Sequence, residues 1–250
     1  MAVRVDKRVK KKTPKKPSTS SRRGTATNVV RTPRIRMAPQ ERERFILENA
    51  TRFFAERGSA GQTRELARRL GITQSLLYRY FSSKEALVER VYENWFADYW
   101  NPAWEEWIVD RGMPLEQRLL RFYEDYTQRV YCAEWVRLFV FSALDGLDHH
   151  SRFVLRNRER LYTRIAGELR HDLGLPTLDQ IPMTEFEIEQ LWGMHATTFY
   201  IGQRRWLYHL PVPADVGGIM AARVRSFMAA APQQIAAHLT SLHAMRMASD

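Results

Sequence analysis

Apolar side chains recur at helical spacing from residue 46 onward, and this periodicity constrains the fold more than any other feature of the sequence. Ile46, Ala50, Phe53 and Phe54 share one face of a first predicted helix, because residues three, four, seven and eight apart lie together on a repeat of about 3.6 residues. Gly58 follows, and glycine commonly ends helices. We therefore predict a helix that ends at Gly58.

Two shorter helical patterns come next, separated by a tight turn. Leu66 and Leu70 repeat the spacing before Gly71, and Leu77 and Phe81 lie four residues apart after it. A short helix, a tight turn and a second short helix form the helix-turn-helix arrangement, in which the second helix enters the DNA major groove. This arrangement alone is weak support for DNA binding, since any three-helix bundle contains such turns.

Polar residues predict where these helices begin. Thr73 is a suitable N-cap for the third helix. Ser82, with Glu85 three residues later, predicts a capping box that opens a fourth helix through Leu87 and Val91.

The remainder of the chain also has helical periodicity, and we find neither an alternating strand pattern nor an internal repeat. The predicted fold class is therefore all-α. Pro102 and Pro232 are expected to kink or split their helices. Beyond the fourth helix, the predicted helices cover residues 114–131, 133–146, 149–173, 184–209 and 214–244.

The positive charge of the chain is concentrated in its first 38 residues. That segment holds 13 Lys or Arg and one acid, Asp6, whereas residues 39–250 carry a net charge of −1. With few large apolar side chains, the segment cannot offset the entropy of ordering, so we predict a disordered basic arm at residues 1–38. Such an arm is either a non-specific DNA tether that acts by counterion release or a solubilising extension.

Several classes of protein do not fit this sequence. It has no apolar run of membrane-spanning length and no secretory h-region, which predicts a cytoplasmic protein without a membrane partner. Cys132 is the sole cysteine, so an internal disulfide and a thiolate zinc site are excluded, while a redox role for it stays open.

An enzyme is the first alternative function. His149 and His150, close to Asp145 and Asp148, suggest a metal site, but their spacing matches no common ligand motif. The sequence also lacks a phosphate loop, a nucleophile elbow and a paired-carboxylate signature. We therefore predict no metal, no cofactor and no catalytic residue.

The polar side of the second short helix carries groups suited to nucleic acid. Gln74, Ser75, Tyr78, Arg79 and Tyr80 offer hydrogen-bonding or aromatic groups to base edges and phosphates. A helix face that contacts only solvent more often carries Glu and Lys pairs. This choice of residues favours DNA contact.

The stretch from Gln62 to Leu87 resembles the DNA-binding signature of the tetracycline-repressor (TetR) family. Leu-Ala-x-x-x-Gly at residues 66–71 and Leu-Tyr-x-x-Phe-x-x-Lys-x-x-Leu at residues 77–87 occur in the family's order, and the matching run extends back to Ile46. The resemblance implies a DNA-binding domain at residues 39–85, with its helix-turn-helix at about 62–81. Residues 86–250 would then form a helical effector-binding and dimerisation domain.

Carried over residue by residue, the resemblance implies roles for individual side chains. Thr63, Arg64, Thr73, Gln74 and Ser75 would approach phosphates or bases, with Gln74 the best candidate to read an adenine edge. In the same way, Tyr78 and Tyr80 would contact the DNA backbone. Lys84, the only lysine after residue 16, would add a phosphate contact near the start of the fourth helix.

The implied function is a ligand-responsive transcriptional regulator, most often a repressor, that binds a palindromic operator in double-stranded DNA as a homodimer. The residues do not distinguish repression from activation. High aromatic density after residue 94 suggests a pocket for an apolar or aromatic effector, although core packing is the better explanation for any single ring. The candidate pocket residues are Trp95, Tyr99, Trp104, Tyr123, Tyr126, Trp135 and Phe139.

The last two long helices carry apolar stripes, and in the family such a pair meets its copy in a four-helix dimer interface. The stripes consist of Leu191, Met194, Thr198 and Ile201 on one helix and Ile219, Val224, Phe227, Ile235 and Leu239 on the other.

A non-specific DNA-binding protein driven by the basic arm is the second alternative. Removing residues 1–38 separates the two DNA-binding hypotheses. A sequence-specific regulator would keep its preferred site, whereas an arm-driven binder would lose nearly all affinity.

Overall fold

The helical periodicity is realised throughout the part of the chain that the computed structural model describes, residues 37–247. This part contains eleven α-helices, one π-helical turn and no β-strand, which confirms the predicted all-α fold class. The predicted basic arm lies almost entirely outside the described residues. The α-helices are α1 (Pro39–Arg57), α2 (Thr63–Arg69), α3 (Gln74–Tyr80), α4 (Lys84–Asp98), α5 (Ala103–Val109), α6 (Leu115–Val130), α7 (Ala133–Leu144), α8 (His149–Asn157), α9 (Thr163–Asp172), α10 (Glu185–Trp206) and α11 (Val216–Met247).

Glycine and threonine define the boundaries of the first three helices, as the sequence predicts. Gly58 and Gly71 adopt φ values of 63° and 64°, a left-handed conformation that a residue with a Cβ adopts only at a cost. Thr73 caps α3, because its hydroxyl accepts a hydrogen bond of 3.2 Å from the amide of Leu76. Ile46, Phe54 and other buried residues of α1 pack against α4 and α7.

The loop between α1 and α2 is held close to α1 by a glycine that the sequence pattern does not single out. A Cβ on Gly61 would lie 2.5 Å from Cε1 of Phe53, a ring that is itself buried. No larger residue fits there without moving that ring. Gly61 therefore fixes where α2 begins relative to α1.

The predicted start of α4 is wrong by one residue. The N-cap is Ser83, whose hydroxyl accepts a hydrogen bond of 3.0 Å from the amide of Ala86, and not Ser82. The same Ser83 hydroxyl and the backbone amide of Glu85 lower the pKa of the Glu85 carboxyl. The predicted domain boundary after residue 85 falls in the first turn of α4, so this one helix runs from the first part of the chain into the second.

The predicted helix at 149–173 contains an irregularity. α8 passes through a π-helical turn at Arg158–Tyr162 before continuing as α9. Pro102 separates α4 from α5 as expected, whereas Pro232 lies inside α11 and does not end it.

The second part of the chain is a bundle in which α11 packs on α6 and α10. Two buried ion pairs join helices of this bundle. Arg118 of α6 pairs with Glu168 of α9 at 2.8 Å, and Arg170 of α9 pairs with Glu187 of α10 at 2.6 Å. Hydrogen bonds from Arg111 and then Arg118 lower the pKa of the Glu168 carboxyl. Burial opposes the same shift at Glu187, but hydrogen bonds from Arg170 and Thr184 outweigh it and lower the pKa of that carboxyl as well. Within residues 37–247, no helix combines the length and the apolar character needed to cross a bilayer.

Candidate functional site

Helix α3 presents a polar face to solvent and an apolar face to the core. Leu77 has no exposed surface, and Phe81, just beyond the helix, is also buried. On the other side Gln74, Ser75 and Arg79 are exposed, as is Tyr78 at 38%. The face predicted to contact a duplex is therefore accessible.

Thr63 occupies a different position from the predicted one. The residue is only 5% exposed, which leaves its side chain little surface to offer to a phosphate or a base. Instead its hydroxyl accepts a hydrogen bond of 3.0 Å from Nε2 of Gln74 and lies 2.9 Å from the hydroxyl of Tyr78. Thr63 thus holds two exposed side chains of α3 from behind.

The helix-turn-helix carries several exposed cations without an ion-pair partner among the described residues. Arg64, Arg68 and Arg79 are exposed, and no carboxylate of residues 37–247 lies within ion-pairing distance of them. By contrast, Arg69 pairs with Glu56 at 2.7 Å and with Glu65 at 3.0 Å, and these carboxylates raise its pKa. The surface around Gln74 therefore keeps positive charge that the protein itself does not neutralise.

The other predicted contact residues differ in exposure. Thr73 is exposed beside Gln74, although its hydroxyl is engaged in capping α3. Lys84 is half-buried and is the first residue of α4, where amide groups favour an anion. Tyr80 is partly buried and packs against the core, so only part of its ring is available to a partner.

A cavity of about 200 Å³ lies in the second part of the chain, among α6, α7, α8, the π-helical turn and α10. Aromatic rings form most of its wall, and its most exposed lining residue is Trp192, at 38%. The lining residues are Tyr126, Trp135, Phe139, Phe153, Val154, Asn157, Tyr162, Trp192, His195, Ala196 and Phe199.

One side of the cavity carries uncharged polar groups. The two ring nitrogens of His195 lie 3.3 Å from the hydroxyl of Tyr123 and 3.3 Å from Nδ2 of Asn157. Burial among the rings of Tyr123, Tyr126 and Tyr162 lowers the pKa of His195 to about 4. The imidazole is therefore neutral at physiological pH.

The structure brings only some of the predicted pocket residues to this cavity. Tyr126, Trp135 and Phe139 line it, and Tyr123 reaches it through His195. The other three lie elsewhere. Trp95 borders a surface groove beside α1, Tyr99 contacts Cys132 at 3.3 Å, and Trp104 donates a hydrogen bond of 2.7 Å to Asp125.

The cavity residues that the sequence reasoning missed are mostly polar or distant along the chain. His195 and Asn157 are polar residues on otherwise apolar helix faces, and this was the available signal. The remaining ones are lining residues on α8, the π-helical turn and α10: Phe153, Val154, Tyr162, Trp192, Ala196 and Phe199.

The apolar stripes predicted to meet a second copy are used mainly inside one chain. The stripe of α10 (Leu191, Met194, Thr198 and Ile201) is buried, and so are Val224, Phe227, Ile235 and Leu239 of α11, while Ile219 is half-buried. These residues pack inside one chain, because α10 and α11 contact each other and the bundle, while the expectation that this pair of helices meets a second copy stays a prediction. A different face of the two helices is exposed, with Trp192 and Tyr200 and a groove lined by Gly193, Thr197, Ala230 and Gln234.

The histidines of the enzyme hypothesis have structural partners. His149 lies in the first turn of α8. It stacks on Tyr92 and has Nε2 3.0 Å from Glu89. Among residues 37–247, no group of three His, Cys, Asp or Glu side chains could hold a metal ion. Cys132 immediately precedes α7, and burial raises the pKa of its thiol, which disfavours the reactive thiolate.

Comparison with known proteins agrees with this arrangement. The sequence model of the family described as "Bacterial regulatory proteins, tetR family" matches residues 46–91. A tetR-family transcriptional regulator from Streptomyces coelicolor is similar in structure with a TM-score of 0.57 at 21% identity, over 85% of this chain and 90% of that one. A TetR-like transcriptional regulator from Rhodococcus sp. RHA1 gives 0.56 at 18% identity, over 78% and 100% of the two chains.

A third similar structure is the TetR family transcriptional regulator PfmR from Thermus thermophilus, with a TM-score of 0.52 at 19% identity over 73% of this chain and 96% of that one. The matched family and all three structures are regulatory proteins and not enzymes. The resemblance seen in the sequence is thereby confirmed: residues 46–91 match the sequence model of the tetR family, and the chain shares its fold with these TetR-type transcriptional regulators.

Proposed function

We propose that this protein is a transcriptional repressor that binds an inverted-repeat operator as a homodimer and is released by a small apolar or aromatic effector. The observation that carries the proposal is the division of α3, with Leu77 fully buried and Gln74, Ser75, Tyr78 and Arg79 exposed. A helix anchored on one side and polar on the other can enter the major groove without disturbing the domain.

Gln74 reads a base in this proposal. One N–H of its amide donates to Thr63, and no other side chain or backbone group of residues 37–247 binds the second N–H or Oε1. Those two groups are the donor and acceptor that an amide uses on the N7 and N6 positions of adenine. The buried Thr63 hydroxyl orients the amide before DNA arrives and reduces the entropy lost on binding.

The cations and Tyr78 contact the phosphate backbone. Among residues 37–247, Arg64, Arg68 and Arg79 have no carboxylate partner from which they must separate when they bind DNA, and Lys84 lies at the amide-rich start of α4. These contacts set affinity and register without reading sequence. They predict strong salt dependence of the affinity.

Two copies are needed to read a palindrome, with recognition helices one turn of DNA apart, roughly 34–36 Å. The exposed face of α10 and α11 supports this association. Tyr200 is 55% exposed there, and small side chains line the groove beside it, so a second pair of helices could approach closely. The dimer interface in this proposal is that face and not the buried stripes.

An effector in the cavity would act on α4. The ring of Phe96 on α4 lies 6.3 Å from Trp135, 6.2 Å from Phe139 and 5.6 Å from Phe153, and all three line the cavity. α4 begins three residues after Phe81 of the recognition unit. An effector that binds in the cavity and favours a different arrangement of these rings would therefore change the spacing of the two recognition helices in the dimer.

The proposal includes the remaining untested expectations. Residues 39–85 form the DNA-binding domain, residues 86–250 form the effector-binding and dimerisation domain, and the protein acts in the cytoplasm, where the chromosome is accessible.

The proposal is tested by selecting fragments bound by the full-length protein from random and from genomic DNA. We expect an inverted repeat whose half-sites are about one helical turn apart. Recovery of unrelated, asymmetric fragments with the same affinity would contradict sequence-specific regulation and favour the non-specific alternative.

A further inference from the structure

Only some of the residues around the aromatic cavity present surface to it. Trp135 and Asn157 are 2% and 3% exposed, and their atoms Nε1 and Oδ1 have almost no accessible surface, so these polar atoms lie behind the wall. Accessible surface remains on six lining residues, which form the wall that a ligand touches: Phe139, Val154, Trp192, His195, Ala196 and Phe199.

This wall offers few hydrogen-bonding groups. Both ring nitrogens of His195 already have protein partners: Nδ2 of Asn157 donates to Nε2, so Nδ1 carries the proton and donates to the hydroxyl of Tyr123, each at 3.3 Å. The other polar atom of the wall is the indole N–H of Trp192, the most exposed of the lining residues. A ligand that enters therefore meets mainly carbon and finds little to replace the hydrogen bonds that it made with water.

The wall also limits the charge of the ligand. Among the residues that the structure describes, no Asp, Glu, Lys or Arg lines the cavity, and His195 is neutral above a pKa of about 4. An ionised ligand would be buried without a counter-charge, which is strongly unfavourable. The ligand must therefore be neutral.

The volume limits the size of the ligand. The cavity measures about 200 Å³, which is below the roughly 300–1,000 Å³ of sites for drug-sized molecules. An apolar cavity of about 150 Å³ admits benzene. The space therefore matches one six-membered ring with a short substituent.

The rings of the wall favour an aromatic occupant. Phe139 meets Phe199 edge to face, with ring centroids 4.7 Å apart and an angle of 67° between the planes, and it meets Phe153 at 83°. Aromatic pairs prefer this geometry, which adds to the free energy gained by burial alone. A flat aromatic ring in the cavity can extend the same arrangement.

We propose that this cavity binds a monocyclic aromatic hydrocarbon of the size of an alkylbenzene. Such a molecule is neutral, needs no hydrogen bond and fills a space whose empty state deprives the lining residues of van der Waals contacts. The inference rests on the proposed ligand-responsive function, since it names the ligand class of that regulator.

The first test compares ethylbenzene with benzyl alcohol, which have nearly the same shape and differ by a methyl group in place of a hydroxyl. Binding of each to the full-length protein is measured by titration calorimetry without DNA. We expect ethylbenzene to bind at least about tenfold more tightly, because the hydroxyl leaves water without a replacement partner.

The second test compares benzene with cyclohexane. Cyclohexane has the larger apolar surface, so burial alone would favour it. We expect benzene to bind at least about twofold more tightly, because only an aromatic ring gains edge-to-face contacts with Phe139 and Phe199.

Variants locate the bound ligand. Val154→Phe and Ala196→Leu each add carbon atoms to the wall, so both should weaken ethylbenzene binding at least about tenfold. Leu155→Phe is the matched control: Leu155 is the next residue of α8, is 51% exposed and does not line the cavity, so its affinity for ethylbenzene should change less than about twofold. Circular dichroism checks that each variant folds.

Equal or tighter binding of benzyl alcohol by the unaltered protein overturns the inference, as does the absence of ethylbenzene binding near its solubility limit. Tighter binding of cyclohexane than of benzene, or full affinity for ethylbenzene in both Val154→Phe and Ala196→Leu, also overturns it. Failure of the DNA selection with ethylbenzene binding intact would contradict the proposed regulator and leave the hydrocarbon site standing.

Discussion

Replacing Thr63 with valine tests the inference that this residue positions the DNA-reading side chains without touching DNA. Valine keeps the shape and removes the hydroxyl that contacts Gln74 at 3.0 Å and Tyr78 at 2.9 Å. Both partners are exposed and can bond to water instead. Each lost bond then costs about 0.5–1.5 kcal/mol, partly offset by burying a methyl group, so the free energy of unfolding should fall by about 1 kcal/mol.

The larger effect is on DNA affinity. Without Thr63, Gln74 and Tyr78 must be ordered during binding, and ordering one side chain costs about 0.5–1.5 kcal/mol. Two side chains together cost about 1–3 kcal/mol, which corresponds to a roughly 5–150-fold weaker complex. Fluorescence anisotropy with the selected operator measures this change. The dependence of affinity on salt should stay the same, because no phosphate contact is lost.

A double-mutant cycle and a control variant make the result specific. In a Gln74→Ala, Tyr78→Phe background the further change at Thr63 should alter affinity less than about twofold, because its partners are gone. Thr51→Val is the matched control, since Thr51 is also a buried threonine, but its hydroxyl donates to the Leu47 carbonyl. Unchanged affinity of Thr63→Val, or a salt dependence reduced by one phosphate contact, would refute the positioning role.

Three further predictions concern other parts of the molecule. Gly61→Ala should lower the free energy of unfolding by about 1–3 kcal/mol in urea titrations, because the new Cβ would lie 2.5 Å from Phe53. Gly167→Ala, which meets only an ordinary contact at 3.7 Å, should raise it by about 0.5–1 kcal/mol, and equal effects of the two changes would contradict the packing argument. The pKa of His195 is about 4 in the folded protein and returns to its ordinary value of 6.5 when the chain unfolds. Between pH 4 and 6.5 the unfolded chain therefore binds more protons than the folded protein. The free energy of unfolding should therefore fall by up to about 3 kcal/mol as pH decreases from 6.5 to 4. His195→Gln should remove that part of the pH dependence. The same dependence of the unfolding free energy on pH in the variant would argue against a buried neutral imidazole. Ala230 lies in the exposed groove between α10 and α11, and Ala230→Arg should convert a dimer to a folded monomer in sedimentation analysis. Ala143→Arg, at an exposed position of α7, should leave the dimer intact. A dimer in both variants would place the interface elsewhere.

The local structure of the first part of the chain was predictable because short-range rules determine it. Apolar spacing located α1 to α4, and Gly58, Gly71 and Thr73 marked helix ends as expected. The predicted N-cap of α4 was wrong by one residue because Ser82 and Ser83 are adjacent residues of the same type, and only the backbone conformation selects Ser83. Close approaches such as Gly61 against Phe53 depend on tertiary packing and leave no local pattern.

The residues of the candidate sites were likewise predictable where short-range rules determine them and unpredictable where tertiary packing does. The polar face of α3 could be predicted, since Leu77 and Phe81 anchor one side of the helix and the residues on the opposite side point outward. The burial of Thr63 could not, because the first residue of a helix faces either way and the packing of α3 on α2 decides. Asn157 and His195 are far apart in sequence and meet only where α8 and α10 pack, so aromatic density indicated a pocket but not its walls.

The central claim is that Gln74 reads a base from the exposed face of α3. It is tested most directly by measuring affinity for the selected operator and for all its single-base-pair substitutions, with the unaltered protein and with Gln74→Ala. We predict that the variant loses about 1–3 kcal/mol of discrimination at one symmetric position in each half-site and keeps its preferences elsewhere. An unchanged preference profile in Gln74→Ala would contradict the account.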